Sequence, residues 1–199
     1  YFLTAQLQKT AKNFSGSVAY TYSKAKTIND GGSIAQSNWR DRPVKGDPNT
    51  DELGYANFYQ PHRVIAYGTY RKEYAKYFAT SLGLTFEAAA NFSASYVYNG
   101  DVNGDNQTSN DLMYIPRNQS EIVLVKSSAT DPRKPDQMWA QLNNFINQDI
   151  YLSKHKGEVA QRNAALAPYF KKVNVNLTQD FYYDTKNKTR HTIRLTADI

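Results

Sequence analysis

Residues 78–98 read FATSLGLTFEAAANFSASYVY, and apolar and polar side chains alternate along this stretch. The apolar series occupies every second position from Leu82 onward: Phe78, Leu82, Leu84, Phe86, Ala88, Ala90, Phe92, Ala94, Tyr96 and Tyr98. The positions between them are mostly Ser, Gly, Thr, Glu and Asn. A period of two is typical of a β-strand with one apolar and one polar face. The stretch therefore predicts one long strand from Phe78 to Tyr98.

The same period recurs in other parts of the chain. Five further segments are predicted as strands: 1–8, 14–23, 63–74, 173–181 and 192–199. In 63–74 the run Val64-Ile65-Ala66-Tyr67 puts apolar residues on both faces, so the pattern does not show which face of this strand is the apolar one. Phe181, Tyr182 and Tyr183 lie beside a short turn. In a membrane barrel this end of a strand lies at the interface between lipid and water, where aromatic residues are enriched.

The connections between these segments alternate strictly in length. Short connections lie at 9–13, 73–76 and 184–188, and long ones at 25–62 and 99–167. Outer-membrane barrels have short periplasmic turns and long external loops, and their wet interior suits a polar strand face. The predicted fold is therefore all-β: an antiparallel transmembrane β-barrel fragment of about six strands with short periplasmic turns and long extracellular loops. A soluble β-sandwich with one wet face remains the alternative, because alternation alone does not separate the two.

Composition excludes several other classes of protein. The 199 residues contain no Cys, which excludes a disulfide scaffold and cysteine-based metal or redox sites. No apolar run reaches the ~18 residues of a membrane-spanning helix. The 24 Lys and Arg residues give a net charge of +6, but they are scattered, so no nucleic-acid partner is expected. His62, His155 and His191 are far apart, and no catalytic motif occurs, so we expect no enzyme.

Four stretches carry a resemblance to a known family: residues 98–105 (YNGDVNGD), 110–116 (NDLMYIP), 149–158 (DIYLSKHKGE) and 161–181. With the strand pattern they resemble the TonB-dependent outer-membrane transporters of Bacteroidota, in particular the Oar-like receptors related to SusC-type transporters. The resemblance covers nearly the whole chain. It implies that residues 1–199 are part of one receptor β-barrel domain in the outer membrane of a Gram-negative bacterium.

The same resemblance implies the partners and the activity. The parent protein would transport a nutrient or another ligand, with this piece forming barrel wall and surface loops. Its partners would be outer-membrane lipid, the rest of the barrel and its plug, TonB, and in SusC-type systems a surface lipoprotein. Six strands are fewer than the ~8 that close a barrel, and Ile199 lies in mid-strand, so we expect the plug, the TonB box and the final strands to lie outside this sequence. A passive porin, which needs no plug, is a third hypothesis.

A loop rich in Asp and Asn follows Gly100. Its oxygen-bearing side chains have the alternate spacing of calcium loops, with Asp111 near the place of the final acidic ligand: Asp101, Asn103, Asp105, Gln107 and Asp111. Position twelve of such a loop is Leu112, where a bidentate carboxylate belongs. A weak Ca²⁺ site is one interpretation, and an Asx-rich turn without metal is the other. On the sandwich alternative, this loop would make a calcium-dependent carbohydrate-binding module.

The two long connections contain three other features. In the first, aromatic residues lie among charged ones and are candidates for contact with a sugar or peptide: Trp39, Tyr55, Phe58 and Tyr59. Packing within the loop is the alternative. In the second, residues 135–147 predict a short amphipathic helix with Met138, Leu142 and Phe145 or Ile146 on one face. Glu158 and Arg162 are predicted to form a structural charged pair.

Overall fold

The computed structural model describes residues 1–186 and 189–199. The predicted turn at 184–188 therefore lies partly outside the described residues, because it includes Asn187 and Lys188. Strands account for 43% of the chain and helices for 13%, which confirms the all-β class. In chain order the elements are β1 (Phe2–Thr10), β2 (Phe14–Ser23), β3 (Lys26–Thr27), α1 (Ala35–Arg40), β4 (Gly54–Tyr55), β5 (His62–Tyr74), β6 (Phe78–Ala90), β7 (Ser93–Ala94), α2 (Pro135–Gln148), β8 (Ala165–Leu166), β9 (Tyr169–Asp184) and β10 (Arg190–Asp198). Short 3₁₀ turns cover Gln119–Glu121 and Leu152–Lys154.

The chain forms two compact units. The sheet unit comprises Tyr1–Lys24, Gln60–Asn91 and Ala167–Ile199, and the loop unit comprises Ala25–Tyr59 and Phe92–Leu166. The loop unit is thus made of the two long connections that the alternation of lengths predicts.

The sheet unit is a single antiparallel sheet of six strands in the order β1-β2-β5-β6-β9-β10. Each strand pairs with the next long strand along the chain, so all six predicted strands are confirmed as elements of one meander. The sheet is open, because β1 and β10 do not pair with each other in the described parts of the chain.

One strand is shorter than its sequence pattern indicates. The prediction of a strand from Phe78 to Tyr98 is wrong beyond Ala90, where β6 ends. Ala90 pairs with Tyr169, the first residue of β9, so no neighbouring strand continues beyond that point. A strand without a neighbour leaves its backbone N–H and C=O groups unpaired. The chain instead leaves the sheet at Asn91 and enters the loop unit, where the two-residue β7 pairs with β8.

The hairpin between β5 and β6 turns through two residues in the left-handed region. Ala75 has φ 49° and Lys76 has φ 61°, values that cost a residue with a Cβ atom free energy. The hairpin between β1 and β2 needs no such residue. There Ala11 and Phe14 exchange backbone hydrogen bonds of 2.7 and 3.3 Å.

The loop unit has its own apolar core. Its buried centre consists of Ile115, Ile146, Leu152 and Ala160. The helix predicted at 135–147 is confirmed as α2, and it contributes Ile146 to this centre, whereas Phe145 is half exposed. Pro135 suits the first turn because its missing N–H would have no partner there. The first helix, α1, buries none of its six residues.

Candidate functional site

The sheet has one face that is apolar on every strand, which we call the apolar face. The strand register brings together one row across β2, β5, β6 and β9: Val18, Ala66, Phe86 and Val173. Leu7 on β1 and Ala197 on β10 belong to the same face. Leu82 and Leu84 are each 46% exposed although β6 is a central strand, so nothing in the described chain covers this face.

Aromatic rings lie toward both ends of the apolar face. Phe78 is 5.8 Å from the ring of Tyr74 and 5.6 Å from that of Phe181, near the short turns. Toward the other end, His62 lies 5.5 Å from the ring of Tyr22 and 6.0 Å from that of Tyr20. The aliphatic residues of the face therefore form a band between two aromatic rims.

The opposite face, called the polar face, carries a network of charged groups. Asp180 lies at the centre of this network and is 1% exposed. Arg194 Nε donates to Asp180 Oδ1 at 2.7 Å, and Arg71 Nη2 donates to Asp180 Oδ2 at 2.9 Å. Arg71 also donates to the Tyr182 hydroxyl, so this ring belongs to the polar face and not to an aromatic rim. A second ion pair on this face joins Arg63 to Glu87 at 2.7 Å.

The Asp101 loop lies in the loop unit and closes on its own backbone. Asp101 Oδ1 accepts the N–H groups of Gly104 (2.7 Å) and Asp105 (3.2 Å), and Asp101 Oδ2 accepts that of Asn106 (2.9 Å). Gly104 and Asn106 have φ values of 78° and 63°, which both residue types tolerate better than most. The carboxylate thus satisfies three backbone donors in a tight turn.

The other predicted calcium ligands lie beside this turn. Asn103 Oδ1 accepts the Asp105 N–H at 2.9 Å, Asp105 Oδ1 accepts the Gln107 N–H at 2.8 Å, and Asp111 Oδ2 accepts the Val102 N–H at 2.6 Å. The side chain of Asn110, with smaller contributions from other donors, holds the pKa of Asp105 below its ordinary value. Within residues 1–186 and 189–199, no group of three or more His, Cys, Asp or Glu could hold a metal ion. The Ca²⁺ interpretation stays a prediction.

The predicted aromatic ligand residues lie in the loop unit, and two of them form a pair. The rings of Tyr55 and Tyr59 stack at 4.6 Å with an angle of 19° between their planes. Lys26 Nζ lies 5.0 Å above the Tyr55 ring. Trp39 donates its Nε1–H to Asn49 Oδ1 at 3.1 Å, and Phe58 is 71% exposed.

The charged pair predicted between Glu158 and Arg162 is wrong. Arg162 is 4% exposed, and its Nε lies 3.6 Å from Oδ2 of Asp30. Sequence proximity favours a partner four residues away, but Asp30 is 132 positions distant and reaches Arg162 only through the packing of the two long connections. The cavity beside Arg162, which has a volume of about 570 Å³ and is lined by both connections, was not predicted from the sequence.

Comparisons with protein-family models, with curated proteins and with solved structures found no match to this chain. Among the described residues, no helix has the length and apolar character that crossing a membrane requires.

Proposed function

We propose that this chain forms part of the wall and the surface loops of a TonB-dependent transporter in the outer membrane of a Gram-negative bacterium. The observation that carries the proposal is the uncovered apolar face, which continues across all six strands of the sheet. Exposed apolar patches that extend across a whole sheet are rare on water-soluble monomers, and they mark contact with lipid or with another protein. Lipid is the occupant that fits a broad, uncovered face of aliphatic and aromatic side chains.

The dimensions of the sheet fit this occupant. Strands β5 and β6 each have 13 residues, and about 9–11 residues cross the apolar core of a bilayer when a strand is tilted by about 45°. The two aromatic rims then fall at the headgroup levels, where Tyr and other amphipathic rings are favoured. Tyr74 supports this position, since its hydroxyl hydrogen-bonds to Thr80 and Gln179 at the end of the aliphatic band.

The polar face fits a wet or plugged interior. The buried Asp180 with its two arginines, and the Arg63–Glu87 pair, would be costly against lipid but are ordinary against water or a polar plug. The alternation of short and long connections supports the same orientation of the sheet, with its short connections in the periplasm and its long ones outside the cell.

The transport activity itself rests on the resemblance to Oar-like and SusC-related receptors of Bacteroidota. In such a protein a ligand binds at the loops and plug, and TonB drives its entry. A surface lipoprotein is a further expected partner. This piece has no catalytic role in the proposal.

The two faces can be tested separately because the natural chain has no cysteine. Single cysteines at Leu82, Leu84 and Phe86 on the apolar face, and at Ser81 and Thr85 on the polar face, would each carry a spin label. In lipid vesicles, we expect the first group to collide mainly with oxygen, which concentrates in lipid. The second group should collide mainly with a water-soluble nickel complex.

A different pattern would overturn the proposal. In a soluble β-sandwich the apolar face packs against a second sheet, so its labels would be shielded from both reagents and the protein would remain in the aqueous phase. Equal access of the nickel complex to both groups would place the apolar face in water. Either result would remove the basis for a transmembrane wall.

A further inference from the structure

Two arginine side chains of the loop unit meet at one backbone carbonyl. Arg42 Nη1 donates to the oxygen of Ile28 at 3.1 Å, and Arg162 Nη1 donates to the same oxygen at 2.5 Å. Arg42 also donates to the Pro48 oxygen at 2.6 Å, and Arg162 to the Thr27 oxygen at 2.5 Å. These bonds hold the two guanidinium groups side by side in a fixed position.

The two arginines differ in their charged partners, because Asp30 lies 3.6 Å from Arg162 Nε. Burial lowers the pKa of Arg162, and the neighbouring Arg42 acts in the same direction, while Asp30 and Glu52 oppose them. Arg42 has no carboxylate within ion-pair distance in the described chain. Neutral carbonyls hold Arg42 in place but do not compensate its positive charge.

The pair also retains hydrogen-bonding capacity. The Nε atoms of Arg42 and Arg162 are buried, and neither has a hydrogen-bond partner among the described residues. The Arg162 Nε has only the ionic contact of 3.6 Å to Asp30. Unpaired buried donors are uncommon in native proteins, and each one costs free energy.

Both arginines line the cavity of about 570 Å³ in the loop unit. This volume lies within the range of roughly 300–1,000 Å³ that small-molecule sites have. Val44 and Leu112, which are buried, form apolar parts of the wall. Lys45 adds a third positive charge, and Glu52 and Glu158 add two exposed negative ones. The cavity thus has two adjacent guanidinium groups beside an apolar wall.

We propose that this cavity binds a small carboxylate ligand with an apolar body, its carboxylate against Arg42 and Arg162 and its body against Val44 and Leu112. A carboxylate offers two planar acceptor oxygens, which match the donor geometry of guanidinium groups. The site goes beyond the proposed transport function and does not depend on it, because every residue that forms it belongs to the loop unit.

The first test compares three probes on the unaltered chain by isothermal titration calorimetry. N-acetyl-leucine has the carboxylate and the apolar body, N-acetyl-leucinamide has the same shape without the charge, and inorganic phosphate has the charge without the body. We expect the acid to bind at least about tenfold more tightly than either of the others, a difference of ~1.4 kcal/mol. Equal binding of acid and amide, or no binding of the acid, would overturn the proposal. Phosphate binding as tight as that of the acid would show a general oxyanion site and refute the role of the apolar wall.

The second test changes the cation. Arg42→Gln should weaken acid binding by about tenfold or more and leave amide binding unchanged. Arg40→Gln is the matched control, because Arg40 pairs with Asp41 at 2.7 Å and does not line the cavity. Acid affinity that survives Arg42→Gln would refute the assigned site. If Arg42→Gln does not fold, the comparison of acid and amide on the natural chain still decides. Failure here leaves the spin-label result untouched, so the two proposals fail independently.

Discussion

Asp101 is the residue on which the conformation of its loop depends most directly, since its carboxylate holds three backbone N–H groups. Removing the acceptor leaves those donors without their partner in a turn that has two positive φ angles. We therefore expect Asp101→Ala to destabilise the loop unit by about 1–3 kcal/mol. Trp39 and Trp139 are the two tryptophans of the chain and both lie in this unit, so their fluorescence reports its unfolding alone.

Asp51→Ala provides the control for this change, because Asp51 is exposed and makes no hydrogen bond among the described residues. Repeating both unfolding curves with calcium and with a chelator tests the Ca²⁺ interpretation. A rise in stability with calcium in the natural chain, absent in Asp101→Ala, would support a metal site. Equal stability of the Asp101 and Asp51 variants would contradict the structural role of Asp101.

Asp131 makes the loop unit sensitive to acid. Hydrogen bonds from the Arg133 guanidinium hold the pKa of Asp131 well below its ordinary value of 3.8. A depressed pKa in the folded state means that the stabilisation is complete above pH ~4 and is lost as the pH falls toward the folded pKa. The difference in unfolding temperature between the natural chain and Asp131→Asn should therefore be constant above pH ~4 and shrink below it. A difference that stays constant to pH ~2 would show that folding does not lower the pKa of Asp131.

The β5–β6 hairpin is the element whose turn is conformationally strained. Glycine at Ala75 would relieve the cost of φ 49°, and we expect Ala75→Gly to stabilise the sheet by about 0.5–1 kcal/mol. The same change at Ala11, in the β1–β2 turn, relieves nothing and adds freedom to the unfolded chain, so it should be destabilising. Urea titration in lipid vesicles measures both, and a loss of stability in Ala75→Gly would contradict the left-handed turn.

The β9–β10 pair depends on the charged network of the polar face. Arg71 and Arg194 cover Asp180 from solvent, but they are themselves 39% and 59% exposed, so water screens the network in part. Asp180→Asn should therefore cost about 1–3 kcal/mol, less than a deeply buried ion pair would. Asp184→Asn, which breaks a single pair with Arg190, is the control and should cost under about 1 kcal/mol. Similar costs for the two changes would contradict the central position of Asp180.

At the scale of the whole molecule, the two faces of the sheet should tolerate charge very differently. Leu84→Arg introduces a charge in the middle of the apolar face and should destabilise the protein in lipid by about 2–4 kcal/mol. Thr85→Arg places the same side chain one residue further on, on the polar face, and should cost little. Unfolding in vesicles measures both changes. Equal costs would mean that the apolar face does not meet lipid.

The two compact units differ in where their apolar residues lie. The sheet unit has an uncovered apolar face, whereas the loop unit has a small buried apolar core around Ile115 and Leu152. Lipid for the first and a carboxylate ligand for the second are therefore separate hypotheses with separate tests.

The sequence by itself determined the all-β class, the six strands, helix α2 and, except on β5, which side chains share a face. These properties are local. A period of two or of 3.6 residues depends only on neighbouring residues, so it can be recognised without knowing how the rest of the chain folds. The tertiary structure decided where β6 ends, since Ala90 is its last residue only because β9 begins opposite it. It also decided that Arg162 pairs with Asp30 and meets Arg42. Such contacts join residues far apart in the chain, and only the packing of the long connections brings them together.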